Sequence, residues 1–188
     1  MYSQEFEKAI NHAMHYEVGP FWSLNPSVEA GLISTPAQRK AVGYVNDPDD
    51  TGGETKFGIA KNANPGVNIK KLTWQQAKAI YYEKYWIAGH SHKLPPNIAV
   101  LHFDGCINHG VARANRFLQL AAGTTPDGKV GPVTISKINT HRQIDVCKKI
   151  CDLREDFYKQ IVLAKPSQKK FLNGWLSRIN SIRAITCK

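Results

Sequence analysis

Carboxylates are the first candidates for chemistry in this chain. Apolar residues recur at Phe6, Ile10, Ala13 and Met14, the spacing of one helix face, and Glu17 takes the next place on that stripe. Eleven residues after Phe6 is about three helical turns, so the Glu17 carboxylate is expected on the buried face near the helix end. Acidic side chains mostly avoid such places; the plainer alternative is an ordinary carboxylate at a frayed terminus. Apolar neighbours strip hydration from the charged form and raise a carboxyl pKa. A carboxyl still protonated near neutrality suits general acid catalysis.

A second group of carboxylates lies in Asp47-Pro48-Asp49-Asp50-Thr51-Gly52-Gly53-Glu54. Four acids in eight residues repel one another, a cost that chain reversal alone does not require. The alternative is that Asp and Asn simply satisfy turn backbone. So polar a turn would keep its carboxylates ionised. A neutral acid facing an ionised carboxylate is the pair that cleaves glycosidic bonds. Thr55, directly after the turn, offers a hydroxyl to orient water.

These groups need elements to hold them. Residues 4–17 read as a helix, and residues 18–42, with Pro20, Pro26, Pro36 and two glycines, as an irregular stretch. Gly43–Asn46 and Thr55–Ile59 read as two short strands flanking the acidic turn. Thr73-x-x-Gln76 is a capping box that opens a helix over Trp74–Trp86. Pro95-Pro96 breaks the chain, and Ile98–Asn108 and Ala112–Ala122 continue it as helices. Gly131-Pro132 starts another, Val146, Ile150, Leu153 and Phe157 mark a long one, and Phe171, Trp175, Ile179 and Ile182 mark the last. The fold class is α+β, mostly α: a helical body with one small β-hairpin. The expected organisation is 1–95 as a catalytic lobe and 96–188 as a helical lobe, packed as one globular unit.

With 188 residues, 42% of them hydrophobic, the chain can bury a substantial core. The segment MYSQEFEKAINHAMHYE lacks the features of a secretory signal, and no apolar run approaches the roughly 20 residues of a membrane span. Synthesis in the cytosol is the expectation. Residues 1–95 hold ten Lys and Arg against nine Asp and Glu, whereas residues 96–188 hold fifteen against six. A basic half attracts polyanions: nucleic acid, anionic lipid or an anionic bacterial wall. The bases are scattered along helices without a nucleic-acid-binding motif, which disfavours nucleic acid. Cys106, Cys147, Cys151 and Cys187 read as small buried apolar residues rather than a disulfide or zinc framework. His90 and His92 read as surface residues. No metal and no cofactor is called for.

The wording of the motifs adds to this. The run from Gly43 to Ile59, through Asn46-Asp47-Pro48, Gly52-Gly53 and Phe57-Gly58-Ile59, resembles the signature of glycoside hydrolase family 108, lysozyme-like N-acetylmuramidases. The likeness continues through Leu72-Thr73, Ala77 and Tyr85-Trp86. It then passes into the peptidoglycan-binding segment paired with that family, at Phe103-Asp104, Asn108-His109-Gly110, Ala114, Leu118-Gln119, Asp127-Gly128 and Val130-Gly131-Pro132. Arg154, Phe157-Tyr158, Gly174-Trp175 and Arg178 extend it towards the end of the chain.

The resemblance implies hydrolysis of the β-1,4 bond between N-acetylmuramic acid and N-acetylglucosamine by a phage endolysin-like monomer, made in the host cytoplasm and released to the periplasm and wall. Alternatives are a lytic transglycosylase or a non-catalytic wall-binding phage protein. The family's acid is a glutamate followed by Gly-Gly-Tyr; here Glu17 is followed by Val18-Gly19, and Gly-Tyr returns only at Gly43-Tyr44. Residues 18–42 therefore read as an inserted loop. Glu17 remains the candidate acid, with Glu54 and Glu29 in reserve. For the second carboxylate the order is Asp50, Asp47, Asp49. A separation of roughly 6.5–9.5 Å from Glu17 would favour inversion with Thr55 positioning water, and roughly 5–5.5 Å retention. Tyr44, Asp49, Glu54, Asp104 and Asn108 are candidate substrate contacts. Asp104 and Asn108, one helical turn apart, read either as glycan contacts or, the favoured reading, as buried polar groups bracing the hairpin. Tyr44, Trp74, Tyr82 and Trp86 offer rings to sugars, although core packing better suits the two tryptophans.

Overall fold

The computed structural model describes residues 1–47 and 52–188. The chain forms two compact units, one of residues 10–82 and one of residues 1–9 with 83–188. The class is the expected one: helices dominate, and the described residues hold one two-stranded antiparallel sheet. No helix among the described residues is long and apolar enough to cross a membrane.

In the 10–82 unit, the later turns of helix α1 (Gln4–Glu17) bury Ile10, Ala13 and Met14 completely, as the stripe requires. Residues 18–42 are not irregular throughout. They contain two short helices, α2 (Pro26–Glu29) and α3 (Pro36–Ala41). Pro26 and Pro36, two of the three prolines that suggest breaks, instead sit at the first helical position, where the missing N–H costs nothing. Asn25 Oδ1 accepts from the Val28 amide at 3.1 Å before α2. Thr35 and Gln38 close a reciprocal capping box before α3.

The strand expected over 55–59 is a complete hairpin. Strands β1 (Thr55–Lys56) and β2 (Ile59–Ala60) pair with Thr55 opposite Ala60. The two-residue turn between them, Phe57-Gly58, has φ values of 54° and 73°, the type I′ pattern that matches strand twist. A positive φ strains a non-glycine residue; burial of the Phe57 ring against Trp22 and Trp74 holds it there. Of the strand expected over 43–46, only Val45 pairs, through two backbone bonds with Thr55.

Helix α4 (Trp74–Tyr81) opens with the Thr73–Gln76 capping box, and the helix expected to reach Trp86 widens into a π-helical segment over Tyr82–Ile87. Trp22, Phe57 and Trp74 form the aromatic core of this unit, with the Trp22 and Trp74 centroids 4.8 Å apart.

In the other unit, α5 (Pro96–His109), α6 (Val111–Ala122), α8 (Gln143–Ala164) and α9 (Lys169–Thr186) pack on one another, and α7 (Pro132–Asn139) packs on α6. Phe6, Trp86 and Phe103 meet edge to face in its core. Trp74 and Trp86 are both buried, so neither offers a ring to a sugar. All four cysteines are free thiols, with Cys106, Cys147 and Cys151 buried and Cys187 half-buried.

Candidate functional site

Glu17 ends α1 half-buried and lies against the hairpin turn. A Cβ built on Gly58 would fall 3.0 Å from Glu17 Cβ and 2.5 Å from the Tyr81 hydroxyl oxygen. Only a residue without a side chain lets the three elements close up this way. Tyr81, from α4, donates its hydroxyl to the Phe57 carbonyl at 3.0 Å and so pins the turn. Neither Tyr81 nor Gly58 stood out as part of the site in the sequence. The Phe-Gly dipeptide was its one signal, read there as strand interior.

The two ends of the 18–42 segment meet. A Cβ on Gly43 would lie 3.3 Å from Val18 Cα, so the chain leaves after Glu17-Val18 and returns beside it at Gly43-Tyr44. The Glu-Gly-Gly-Tyr order interrupted in sequence is thereby approximated in space. Lys56, fully buried in β1, ties the excursion down: its ammonium donates to the Lys70 carbonyl at 3.0 Å and lies beside Gly31. Burial pushes its pKa down.

The remaining candidates in this unit fall into place around β1. Thr55 is half-buried, and its hydroxyl donates to the Gly53 carbonyl at 3.1 Å, leaving oxygen lone pairs for another donor. The Tyr44 hydroxyl donates to Glu54 Oε1 at 2.7 Å, and this bond to a carboxylate raises the Tyr44 pKa. Asp47 is exposed where the acidic turn begins. Asp49 and Asp50 lie outside the described residues. A largely apolar cavity of about 400 Å³ between residues 66–72 and α4 is lined by none of these candidates. Among the described residues, no three His, Cys, Asp or Glu side chains converge as metal ligands would.

Asp104 does not reach solvent, which corrects its reading as a sugar contact. It is fully buried in α5 and accepts from Arg154 Nη2 at 2.7 Å and Arg178 Nε at 2.9 Å, linking α5 to α8 and α9. Asn108, half-buried one turn later, accepts the Tyr158 hydroxyl on its side-chain carbonyl. Arg154 Nε donates to His109 Nε2 at 3.1 Å. Burial first, then the Arg154 charge, lowers the His109 pKa to about 3. His102, also buried, shares its Nε2 proton between the Gly89 carbonyl and Asn115 Oδ1, and burial lowers its pKa to about 4. The polar motif residues of this helical unit brace its interior.

Residues 39–110 match the model of glycosyl hydrolase 108, and residues 110–180 match that of a predicted peptidoglycan domain. Each match covers a little over a third of the chain, and the two lie end to end. These matches support a glycoside hydrolase that acts on peptidoglycan. The hydrolase segment begins at residue 39, near the end of the 18–42 excursion, and the Val18–Gly43 contact brings the end of α1 back to it. SagA of Brucella abortus is a structural neighbour, with a TM-score of 0.70 and 26% identity over 96% of this chain and 92% of that one. No curated protein matches the sequence.

Proposed function

We propose that this chain, whose residues 39–110 match the glycosyl hydrolase 108 model, is an endolysin-type muramidase: it hydrolyses the β-1,4 bond between N-acetylmuramic acid and N-acetylglucosamine, with Glu17 as the general acid. The observation that carries this reading is the approach of the Glu17 side-chain stem, at Cβ and Cγ, to Gly58 in the hairpin turn within the matched segment. In this reading Glu17 protonates the glycosidic oxygen as the bond to the anomeric carbon breaks. Positive charge then develops on the sugar ring, and a carboxylate of the acidic turn, Asp50 or Asp47, stabilises it or activates water. Thr55 keeps its free lone pairs for that water. Glu54, held by Tyr44, keeps the polar side of the hairpin ordered. The scattered bases of residues 96–188 draw the protein to the anionic wall.

Glu17→Gln tests this in one assay. The release of new reducing ends from purified peptidoglycan should fall by roughly 10²–10⁴-fold, the usual contribution of a general acid. Co-sedimentation with the polymer should persist. Product masses separate the reactions: hydrolysis adds one water per cleavage, whereas a transglycosylase leaves 1,6-anhydro ends of unchanged total mass. Wild-type turnover in Glu17→Gln would refute the assignment.

A further inference from the structure

Phe21 lies four residues beyond Glu17 and is 62% exposed, while the next residue, Trp22, is 6% exposed. A single exposed phenylalanine needs no explanation in itself. Three features together give this one a task. Its backbone is fixed: Trp22 is locked edge to face against Trp74 and Phe57, and its amide donates to the Gly19 carbonyl at 3.1 Å. Its ring is oriented: the exposed Lys40 ammonium stands over it, 5.5 Å from the centroid. Its reach is short: four extended residues span at most about 14 Å, so the ring stays within a few sugar units of Glu17.

We propose that Phe21 and Lys40 form a saccharide subsite flanking Glu17, contributed by the 18–42 excursion. A hexosamine ring of the glycan strand stacks on the ring face that Lys40 leaves open, and the Lys40 ammonium meets a carboxylate carried by the muramic acid unit or its peptide. The axial C–H groups of a pyranose are weakly positive and apolar, so the electron-rich face of Phe21 attracts them while the ring sheds water. The ammonium is opposite in sign to the carboxylates that the wall polymer carries. The inference rests on the reading of Glu17 as the acid.

The test uses the full chain on soluble glycan strands from purified peptidoglycan, comparing Phe21→Ala, Phe21→Trp, Lys40→Gln and Glu17→Gln. Phe21→Ala should raise KM roughly three- to tenfold, the equivalent of one lost aromatic contact, and leave kcat and the unfolding midpoint unchanged. Phe21→Trp should restore KM to the wild-type value or below. Lys40→Gln should raise KM on strands bearing carboxylates and leave the binding of neutral chito-oligosaccharides unaltered. An unchanged KM in Phe21→Ala beside an inactive Glu17→Gln overturns the subsite and leaves the catalytic reading intact. An active Glu17→Gln overturns the catalytic reading, and the inference with it.

Discussion

Replacing Gly58 by alanine probes the contact on which the site is built. At φ 73° an L side chain costs roughly 1–2 kcal/mol in backbone strain alone. The added methyl would also stand 2.5 Å from the Tyr81 hydroxyl oxygen and 3.0 Å from Glu17 Cβ, so both must give way. If Tyr81 withdraws, its buried bond to the Phe57 carbonyl is lost, which costs a further 1–3 kcal/mol or so when a polar group is left unsatisfied. The sum is about 2–5 kcal/mol, a fall in melting temperature of the order of 5–15 °C for a chain of this size. Moving Glu17 by even 1 Å should cost up to about 10²-fold in turnover below the melting range. Thermal unfolding by circular dichroism and the reducing-end assay at 25 °C read the two effects separately. Tyr81→Phe removes the obstructing oxygen, so Gly58→Ala/Tyr81→Phe should be more stable than the two single losses added together. Wild-type melting and turnover in Gly58→Ala would refute the packing of α1, α4 and the hairpin turn.

Two further predictions concern the helical unit. Asp104→Asn leaves Arg154 and Arg178 buried without their counter-charge and should destabilise by about 3–5 kcal/mol, whereas replacing all three by apolar residues of similar volume should cost far less; denaturant midpoints decide, and an unshifted Asp104→Asn would show that the cluster does not brace the helices. Acid should also loosen this unit. His102 and His109 have folded pKa values near 4 and 3 against about 6.5 unfolded, so the unfolded chain binds more protons between these limits and stability rises with pH. That contribution is complete above about pH 6.5 and fades at about 1.4 kcal/mol per histidine per pH unit as the pH falls towards 4 and 3. His109→Gln, which retains an acceptor for Arg154, should roughly halve the slope of the urea midpoint between pH 6 and 4; an unaltered slope would contradict the buried neutral imidazole.

What the sequence made legible was what depends on neighbours in the chain. The stripe Phe6, Ile10, Ala13, Met14 is buried as its period requires, and the Thr73–Gln76 box starts α4 where expected. Errors arose where a local signal has two uses. Pro26 and Pro36 read as breaks, yet each follows a capping side chain, Asn25 or Thr35, and that pairing turns a proline into a helix start. Phe57-Gly58 read as strand interior because a bulky apolar residue before glycine fits alternation. A type I′ turn at that dipeptide requires the Phe57 ring to be buried by Trp22, 35 residues earlier in the sequence numbering, and by Trp74 from α4. No local rule supplies those partners.

The same limit governs the site. Glu17 at the end of α1 and Tyr81 of α4 both close on Gly58, and no spacing rule joins residues 17, 58 and 81. The 18–42 excursion nonetheless leaves the arrangement closed, because Val18 and Gly43 meet at its base. Loop entropy explains why such an excursion is tolerable: closure cost grows only with the logarithm of length, and α2, α3 and the buried Lys56 hold the segment in place. An excursion joined at a shared base can vary in length and surface without displacing Glu17 from the turn. It can therefore add a binding surface beside the proposed acid while the geometry at Gly58 stays as it is.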